Sequence, residues 1–209
     1  MKLLRTEDNS FTCHNAEFDE HYHTKSGAIE EAFEKHVKPL HVTDGMHVLD
    51  FCFGLGYNTL AAFHGHKNIS AIALELDPEI IEMMEKIEAP KEIAQEFAFF
   101  KDIGKEKELC DTNGNHLQLI MGNAMETIKD LENDSFDVCF FDPFSPGKHP
   151  EMWSVDVFKE VFRVLKKGGK LSTYSCARRV RDNLKKAGFL VTDGPIVGRR
   201  SPSTIAIKE

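Results

Sequence analysis

The chain has 209 residues, of which 41% are hydrophobic and 29% charged, a composition typical of one ordinary globular domain with a sizeable core. It contains no run approaching the ~18 uninterrupted apolar residues of a membrane span, and its first residues lack the apolar segment of a signal peptide. The five cysteines are scattered without C-x-x-C pairs, which argues against a disulfide framework or a zinc site and favours a reducing, cytoplasmic location.

The net charge of −8 is unevenly distributed. Residues 1–139 contain 12 Lys/Arg against 27 Asp/Glu, whereas residues 140–209 contain 14 against 7. Such an asymmetry is typical of a basic face on an acidic body, but also of solvated helix faces of mixed sign. Both interpretations stay open at this point.

Strand and helix patterns alternate from about residue 46 onwards. The predicted strands lie at 46–53, 69–76, 117–122, 135–141 and 169–175, with two late strands near 189–193 and 203–208. The predicted helices lie at 57–64, 78–100 with a break before Pro90, 123–132, 151–169 and 177–189. Asp77 and Pro78 form a helix start, and Lys166 and Lys167 suit the last turn of the fourth helix. Residues 101–116 are polar and predict a loop or small insertion.

This alternation predicts an α/β domain at 46–209, with a mostly parallel sheet covered by helices on both faces. The two late strands are close in sequence, which favours an antiparallel pair at one edge. Residues 1–45 precede the first core strand and are expected to form an N-terminal extension packed on the sheet.

A Gly-rich turn follows the first core strand, in the sequence DFCFGLGYN (50–58). Gly54 and Gly56 allow a ligand to approach the backbone, although two glycines can also simply make a tight turn. Thr59 replaces the third glycine of the dinucleotide fingerprint, and Asp50 would disfavour a pyrophosphate. Glu75 ends the next strand, where it can accept hydrogen bonds from two ribose hydroxyls. These features favour a nucleoside without phosphates, for which S-adenosylmethionine is the obvious candidate.

The D-x-x-x-G-x-G spacing resembles motif I of the class I methyltransferases, with Cys52 in place of the usual first glycine. This resemblance implies a Rossmann-like fold with a seven-stranded, mostly parallel sheet and an antiparallel edge pair. Asn123 and Ala124 follow the third strand, where this fold contacts the adenine; Asn123 also suits a helix N-cap.

The stretch DPFSP (142–146) ends the fourth strand and resembles the D/N-P-P-Y/F loop of enzymes that methylate amino nitrogens. Asp142 can accept N–H bonds and aim the amine lone pair, Pro143 stiffens the loop, and Phe144 offers a face to a planar base. An unperturbed pKa of ~3.9 makes Asp142 a poor general base, so we expect orientation and electrostatic stabilisation. The alternative is an N-cap acid followed by turn prolines.

Longer matches make the resemblance specific. DPFSPGKHPEMW (142–153) fits D-x-F-[SA]-P-x-K-x-P-x-M-W, and TYSCA (173–177) with Val180, Arg181, Leu184 and AGF (187–189) fits a second motif. The segment 20–40 and GRR (198–200) also match. The chain is thus similar, over nearly its whole length, to the methyltransferases that complete 5-methylaminomethyl-uridine at the tRNA wobble position. His149 and Pro143 depart from that family's most frequent residues.

The resemblance implies methylation of a 5-aminomethyl-uridine, or its 2-thio form, with S-adenosylmethionine as cofactor and the tRNA anticodon region as partner. A separate enzyme would supply the aminomethyl group. Many members carry a second, FAD-dependent oxidase domain, for which these 209 residues leave no room. The implied cofactor-binding residues are Asp50, Gly54, Gly56, Asn58, Glu75, Asn123, Ala124 and Asp142. The implied catalytic residues are Asp142, Pro143 and Phe144, and no metal is expected.

In this context the basic C-terminal third is predicted to contact tRNA phosphates. The candidate residues are Lys148, Arg178, Arg179, Arg181, Lys185, Lys186, Arg199 and Arg200. His21 and His23 could lie at the cofactor mouth. Two alternatives remain: a methyltransferase or aminopropyltransferase acting on a small amine, which would need an anionic pocket, and a noncatalytic RNA-binding protein with a Rossmann fold.

Overall fold

A computed structural model describes residues 1–88, 93–198 and 200–209. The strands are β1 (Leu3–Arg5), β2 (Phe11–Asn15), β3 (Glu20–His21), β4 (His47–Phe51), β5 (Ser70–Glu75), β6 (Glu108–Cys110), β7 (His116–Met121), β8 (Phe136–Phe141), β9 (Leu165–Thr173), β10 (Leu190–Asp193) and β11 (Thr204–Ile207). The helices are α1 (Ala28–Glu31), α2 (Lys38–Leu40), α3 (Tyr57–Phe63), α4 (Pro78–Met84), α5 (Ala94–Phe100), α6 (Ile103–Glu106), α7 (Ala124–Thr127), α8 (Val155–Val164) and α9 (Arg178–Lys186). A π-helical segment (Ala32–Val37) joins α1 to α2, and 3-10 turns cover Ile128–Asp130 and Pro150–Trp153.

Eight of the described strands form a large sheet in the order β10-β11-β9-β8-β4-β5-β7-β6. The five central strands, from β9 to β7, are parallel. β10, β11 and β9 pair antiparallel, which confirms the predicted edge pair. The expected count of seven strands is wrong by one, because the short β6 adds an antiparallel partner to β7 at the opposite edge. β6 lies within the segment predicted as a polar loop, and its three residues are too short to show an alternating pattern.

The core consists of two apolar clusters, one on each face of the large sheet. Alternate residues of β8 show the division: Val138 and Phe140 belong to one cluster, Cys139 and Phe141 to the other, as the period of two in a strand requires. Helices α1 to α5 contribute to the first cluster, and α7, α8 and α9 to the second. The sheet is therefore covered on both faces, as the alternating sequence pattern predicted.

Residues 1–45 contain β1, β2 and β3, which form a separate antiparallel sheet, followed by the helical run from α1 to α2. The amide of Phe11 donates a hydrogen bond to the hydroxyl of Tyr57 at the start of α3, over 3.0 Å. His36 makes a 2.9 Å contact with the hydroxyl of Ser172 in β9. The segment thus contacts both ends of the large domain's sequence, while the boundary at residue 45 stays a prediction.

Several helix ends follow from local side-chain chemistry. The side chain of Asp77 accepts a hydrogen bond from the amide of Glu79, and Pro78 occupies the first turn of α4. The side chain of Asn123 accepts from the amide of Met125 at the start of α7. Both predicted N-caps are therefore present. The break expected before Pro90 lies outside the described residues.

The helix predicted at 151–169 is shorter than expected. A 3-10 turn and Ser154, which caps α8, precede the helix, and β9 begins directly after Val164. Lys166 and Lys167 therefore lie in a strand, not at a helix C-terminus. The Nζ atom of Lys166 instead donates to both carboxylate oxygens of Asp137, at 2.8 Å each, and the backbone of β9 pairs with both β8 and β11.

Candidate active site

A cavity of about 1040 Å³ lies at the carboxyl ends of the central parallel strands. Residues following β4, β5, β7 and β8 form its floor, and residues 14–25 of the N-terminal segment cover it. This is the edge at which open α/β sheets bind ligands. Ligand pockets typically measure about 300–1,000 Å³, so this cavity lies at the upper end of that range.

The Gly-rich turn between β4 and α3 adopts left-handed backbone conformations. Gly54 has φ 57° and Gly56 has φ 76°, and Cys52, which replaces the usual first glycine, has φ 71°. A Cβ atom at Gly56 would lie 2.6 Å from Cζ of Phe53. The backbone therefore requires glycine at Gly56 for space as well as for conformation. Gly54 and Cys52 line the cavity.

Glu75, the last residue of β5, lies on the cavity wall with 6% of its surface exposed. Its carboxylate accepts three backbone N–H groups, from Gly54, Leu76 and Asp77, at 2.8 to 2.9 Å. Burial raises the pKa of Glu75, and these three hydrogen bonds oppose that shift. Because a carboxylate has about four acceptor positions, this rigidly held group retains capacity for a ribose hydroxyl.

Asn123 and Ala124 line the same wall after β7. The amide oxygen of Asn123 caps α7 at 3.0 Å from the amide of Met125, so the cap fixes the residue at the cavity. Leu74 and Leu76 add apolar surface nearby, as a planar base requires. The predicted adenine residues thus lie together with Gly54 and Glu75.

Asp50 behaves differently from the other predicted cofactor residues. It is fully buried beneath the turn and is not among the described residues that line the cavity. One carboxylate oxygen accepts hydrogen bonds from the amide and hydroxyl of Thr59, at 3.2 and 2.6 Å. Burial raises the pKa of Asp50. Asp50 therefore holds the turn against α3, and the direct cofactor contact expected from the sequence does not agree with this position.

Gly56 and Asn58 also lie behind the cavity surface formed by the described residues. The side-chain amide of Asn58 donates to the carboxylate of Asp142 over 3.2 Å. Asn58 thus orients Asp142, a role that the sequence alone did not indicate.

Asp142 follows β8 directly, lines the cavity and has a side chain that is 9% exposed. Burial, with a smaller contribution from the carboxylate of Glu31, raises the pKa of Asp142 to about 6. The imidazole of His23 and the amide of Asn58 oppose the shift. The sequence argument assumed an ordinary carboxyl group, whereas the buried group titrates near neutral pH.

The loop after Asp142 is held by two hydrogen bonds to its backbone. The indole Nε1 of Trp153 donates to the carbonyl of Phe144 over 2.8 Å, and the Tyr174 hydroxyl donates to the carbonyl of Pro143 over 3.1 Å. Trp153 is 2% exposed and packs against Phe141. The tryptophan of the DPFSPGKHPEMW stretch therefore fixes the loop from below.

An aromatic stack closes the cavity mouth. The Phe18 ring lies between those of Phe144 and His149, with both centroids 4.7 Å away and both interplanar angles 25°. Tyr22 meets Phe144 edge-on at 4.9 Å. Sequence reasoning found Phe144 but missed Phe18, because the turn that carries it shows no motif.

Polar contacts fasten the same turn to the loop. The amide of Ser145 donates to the carboxylate of Glu20 over 2.7 Å, and the ammonium of Lys148 lies 3.2 Å from the carboxylate of Asp19. Lys148, predicted to reach a phosphate, is thus paired with an exposed acid. An exposed pair of this kind contributes about 0–1 kcal/mol, so a phosphate can displace Asp19 at little cost.

The other predicted phosphate-binding residues separate into two groups. Arg178 and Arg179 are exposed at the first turn of α9, and Arg200 is exposed in the connection between β10 and β11. Thr204, at the start of β11, pairs with Thr173, at the carboxyl end of β9. Both segments therefore lie at the carboxyl ends of the parallel strands, as the cavity does. Arg181 instead bonds to Thr204, Ser203 and Asp193 within the fold. Arg199 lies outside the described residues.

The fold described above is that of a class I methyltransferase. A family model described as S-adenosyl-L-methionine-dependent methyltransferase matches residues 85–209, more than half of the chain. The chain belongs to this family, which shows it to be an enzyme that uses S-adenosylmethionine.

Individual proteins similar to this chain include members of a tRNA-modifying group. Uncharacterized protein MJ0670 of Methanocaldococcus jannaschii is 32% identical over 99% of this chain and 59% of its own length. The tRNA 5-methylaminomethyl-2-thiouridine biosynthesis bifunctional protein MnmC of Leptospira interrogans is 27% identical over 94% of this chain and 34% of its own. The crystal structure of MnmC2 from Aquifex aeolicus superposes with a TM-score of 0.80 at 26% identity, over 98% of this chain and 69% of that one. The chain thus spans about a third to two thirds of these relatives.

Proposed function

We propose that this enzyme transfers a methyl group from S-adenosylmethionine to the amino nitrogen of 5-aminomethyl-uridine, or its 2-thio form, at the tRNA wobble position. The observation that carries the proposal is the position of Asp142, a buried carboxylate between the cofactor wall and an aromatic mouth. The resemblance to MnmC, whose name states this modification, supports the choice of substrate.

The residues of the cavity wall fit the cofactor. Glu75 would accept the ribose hydroxyls, Asn123 and Ala124 would contact the adenine, and the Gly54 turn would admit the methionine portion. When bound, the cofactor supplies an electrophilic methyl group on a sulfonium sulfur. The backbone at Gly54 and Gly56, strained for any other residue, allows this close approach.

Asp142 would accept an N–H bond from the substrate amine and aim its lone pair. Its carboxylate is already oriented by Asn58, so little reorganisation is needed in the reaction. Phe144, Phe18 and His149 would hold the uracil ring, since aromatic faces stack on any base. Because the amine must reach the buried side chain of Asp142, the nucleotide would enter flipped out of its stack.

The tRNA backbone would contact the exposed cations on the same sheet edge. Arg178, Arg179, Arg200 and Lys148 are accessible there, and Lys185 and Lys186 extend the basic face along α9. Phosphate contacts of this kind give salt-dependent binding without base specificity.

A second candidate is a methyltransferase or aminopropyltransferase for a small free amine. The observation that favours it is the charge of the cavity, whose lining includes seven carboxylates: Glu17, Glu20, Glu31, Glu75, Asp77, Glu79 and Asp142. Such a lining attracts any cationic amine. The basic sheet edge outside the cavity favours the tRNA substrate instead.

The test is nucleoside mass spectrometry on tRNA that bears 5-aminomethyl-uridine, incubated with the protein and S-adenosylmethionine. We expect this nucleoside to gain one methyl group, and the gain to be lost in Asp142→Ala while cofactor binding persists. A parallel reaction offers spermidine and putrescine as acceptors, with either S-adenosylmethionine or its decarboxylated form. Modification of a free amine without modification of the tRNA would support the second candidate and refute the first.

A further inference from the structure

Several buried polar side chains lie beneath the N-terminal roof and are not needed to bind the cofactor. They are Glu31, Lys35 and His36 of the helical run, together with His23 and Asp142. Each is at least nine-tenths buried as a side chain or residue. Burying so many ionisable groups costs several kcal/mol unless each is paired, so the cluster calls for a functional explanation.

One buried face of the helical run explains how the cluster is formed. The buried residues of this face follow the spacing i, i+3, i+4, i+7, i+8: Ala28, Glu31, Ala32, Lys35 and His36. The part from Ala32 to Val37 is π-helical. π-segments occur frequently at functional sites. The ammonium of Lys35 pairs with Glu31 one turn earlier. His36 contacts the Ser172 hydroxyl with Nδ1, and its Nε2 atom lies 3.9 Å from Asp142.

The cluster presents acceptors, and not its cations, to the cavity. Glu31, His23 and Asp142 line the cavity, whereas Lys35 and His36 are not among the described lining residues. The Nε2 atom of His23 is itself buried and has no hydrogen-bond partner within the described part of the chain. The free oxygen of Glu31 receives only a long, 3.4 Å contact from the amide of Thr24.

The protonation states support the same arrangement. Burial opposes ionisation of Glu31, but Lys35 lowers the pKa of Glu31 below its usual value. Burial lowers the pKa of His23, and it lowers the pKa of His36 to about 4. At neutral pH the groups facing the cavity are therefore a carboxylate, a neutral imidazole and the carboxyl group of Asp142.

We propose that Glu31, His23 and Asp142 form an acceptor cradle that binds the substrate amino group and limits the reaction to a single methyl transfer. This inference rests on the proposed function, in which the acceptor is a primary amine. A primary ammonium group has three N–H donors, and the cradle has three acceptors. Lys35 is a positioning residue that pairs with Glu31, and the neutral His36 lies behind Asp142.

The proton balance is as follows. As the substrate enters, its ammonium group would give one proton to Nε2 of His23, which becomes an imidazolium. The neutral amine would then settle with its two N–H bonds on Glu31 and Asp142 and its lone pair towards the methyl group of the cofactor, so that the N–C bond forms as the S–C bond breaks and the sulfur keeps that electron pair. The product leaves as a secondary ammonium, and His23 returns its proton to solvent.

A second transfer is disfavoured by the same cradle. A neutral secondary amine has one N–H, so its methyl group would have to lie against a carboxylate that then loses its partner. An unpaired buried carboxylate is costly. Replacing Glu31 with an apolar side chain should therefore open the reaction to a secondary amine.

The test compares tRNA bearing 5-aminomethyl-uridine with tRNA bearing 5-methylaminomethyl-uridine as substrates. The variant is the double substitution Glu31→Leu with Lys35→Met, which removes the buried pair without leaving a lone charge. We expect the ratio of kcat/KM for the secondary over the primary amine to rise at least tenfold, and dimethylated nucleoside to appear by mass spectrometry. The matched control is Glu34→Leu with Lys38→Met, an exposed pair with the same spacing on the same helical run, which should leave the ratio unchanged.

A second variant tests His23. His23→Gln keeps an acceptor near the Nε2 position but cannot take up a proton, so kcat should fall at least tenfold while KM changes less than twofold. His116→Gln, at the far edge of the sheet, is its control. Calorimetric cofactor binding and the thermal midpoint confirm that each variant is folded.

The outcomes separate the two proposals. If the wild-type protein does not methylate 5-aminomethyl-uridine, the proposed function is refuted and the cradle with it. If the wild-type protein is active, but folded variants keep both the amine ratio and kcat within twofold of wild type, the cradle alone is refuted.

Discussion

The raised pKa of Asp142 leads to a prediction about the pH dependence of catalysis. Its carboxyl group ionises near pH 6 because it is buried and faces Glu31. The ionised form accepts the substrate N–H, so its contribution should be complete well above pH 6 and be lost as the pH falls through 6. The perturbation is Asp142→Asn, which keeps the shape and an acceptor for the Asn58 amide but removes the charge.

The size of the expected rate loss follows from the hydrogen bond between the substrate N–H and residue 142, whose acceptor is no longer charged in Asp142→Asn. A hydrogen bond to a charged partner contributes about 1.5–3 kcal/mol, which corresponds to roughly a 10- to 150-fold loss of rate at about 1.36 kcal/mol per factor of ten. The assay is single-turnover methyl transfer to 5-aminomethyl-uridine in tRNA between pH 5 and 8.5. The wild-type rate divided by the Asp142→Asn rate removes any titration that both proteins share, such as that of the substrate amine.

We expect this quotient to be constant above about pH 7 and to fall towards one below pH 6, by up to tenfold per pH unit. Asp156→Asn, at an exposed position on α8, should match the wild-type rate throughout. A quotient that is independent of pH, or a loss of less than threefold at pH 8, would refute the argued role of the Asp142 charge.

Three further predictions concern the cofactor, the turn and the tRNA. Glu75→Gln should weaken S-adenosylmethionine binding roughly 10- to 100-fold by calorimetry, because one buried ionic acceptor of a ribose hydroxyl is lost. Gly56→Ala should lower the free energy of unfolding in urea by about 1–3 kcal/mol, because its Cβ would overlap Phe53 in a left-handed conformation. The double substitution of Arg178 and Arg179 by Ala should weaken tRNA binding in filter assays and reduce the slope of log K against log salt by about 1–2.

Each of these three predictions has a control variant. Glu132→Gln is exposed and should bind the cofactor normally; equal binding by Glu75→Gln would contradict the ribose assignment. Gly147→Ala has open space around its Cβ and should unfold like the wild type. Arg181→Ala breaks bonds within the fold, so it should lower stability more than it changes the salt slope. An unchanged slope in the double arginine variant would show that α9 does not contact phosphates.

The sequence predicted the parallel sheet and the cavity edge because both depend on local patterns. Short apolar runs ending in Asp50, Glu75 and Asp142 mark strands whose carboxyl ends must meet. The caps at Asp77 and Asn123 were predictable for the same reason, since each depends on neighbouring residues. The length of α8 was not predictable from local patterns. Lys166 and Lys167 fit a helix end, but Lys166 pairs with Asp137 of the neighbouring strand, which is distant in sequence.

The site was predicted less completely than the fold. Asp142, Glu75 and Gly54 were predicted from motifs and line the cavity, whereas Asp50, also predicted at the cofactor, lies buried beneath the turn. Their roles towards the cofactor stay predictions. Phe18 carries no local signal, because its role arises from contacts with the loop after β8. The burial of Glu31 did have a sequence signal. Glu31 and Lys35 are spaced i,i+4 on the same helix face as Ala28 and Ala32. An opposite-charge pair on an otherwise apolar helix face indicates a buried ion pair.

The long-range contacts of the N-terminal roof have a consequence for synthesis of the protein. Glu20 contacts Ser145 across 125 residues, and His36 contacts Ser172 across 136. The N-terminal residues leave the ribosome first, but they can form these contacts only after most of the chain has emerged. Contacts between residues this far apart in sequence form slowly. The N-terminal cover of the cavity is therefore among the last parts of the fold to be completed.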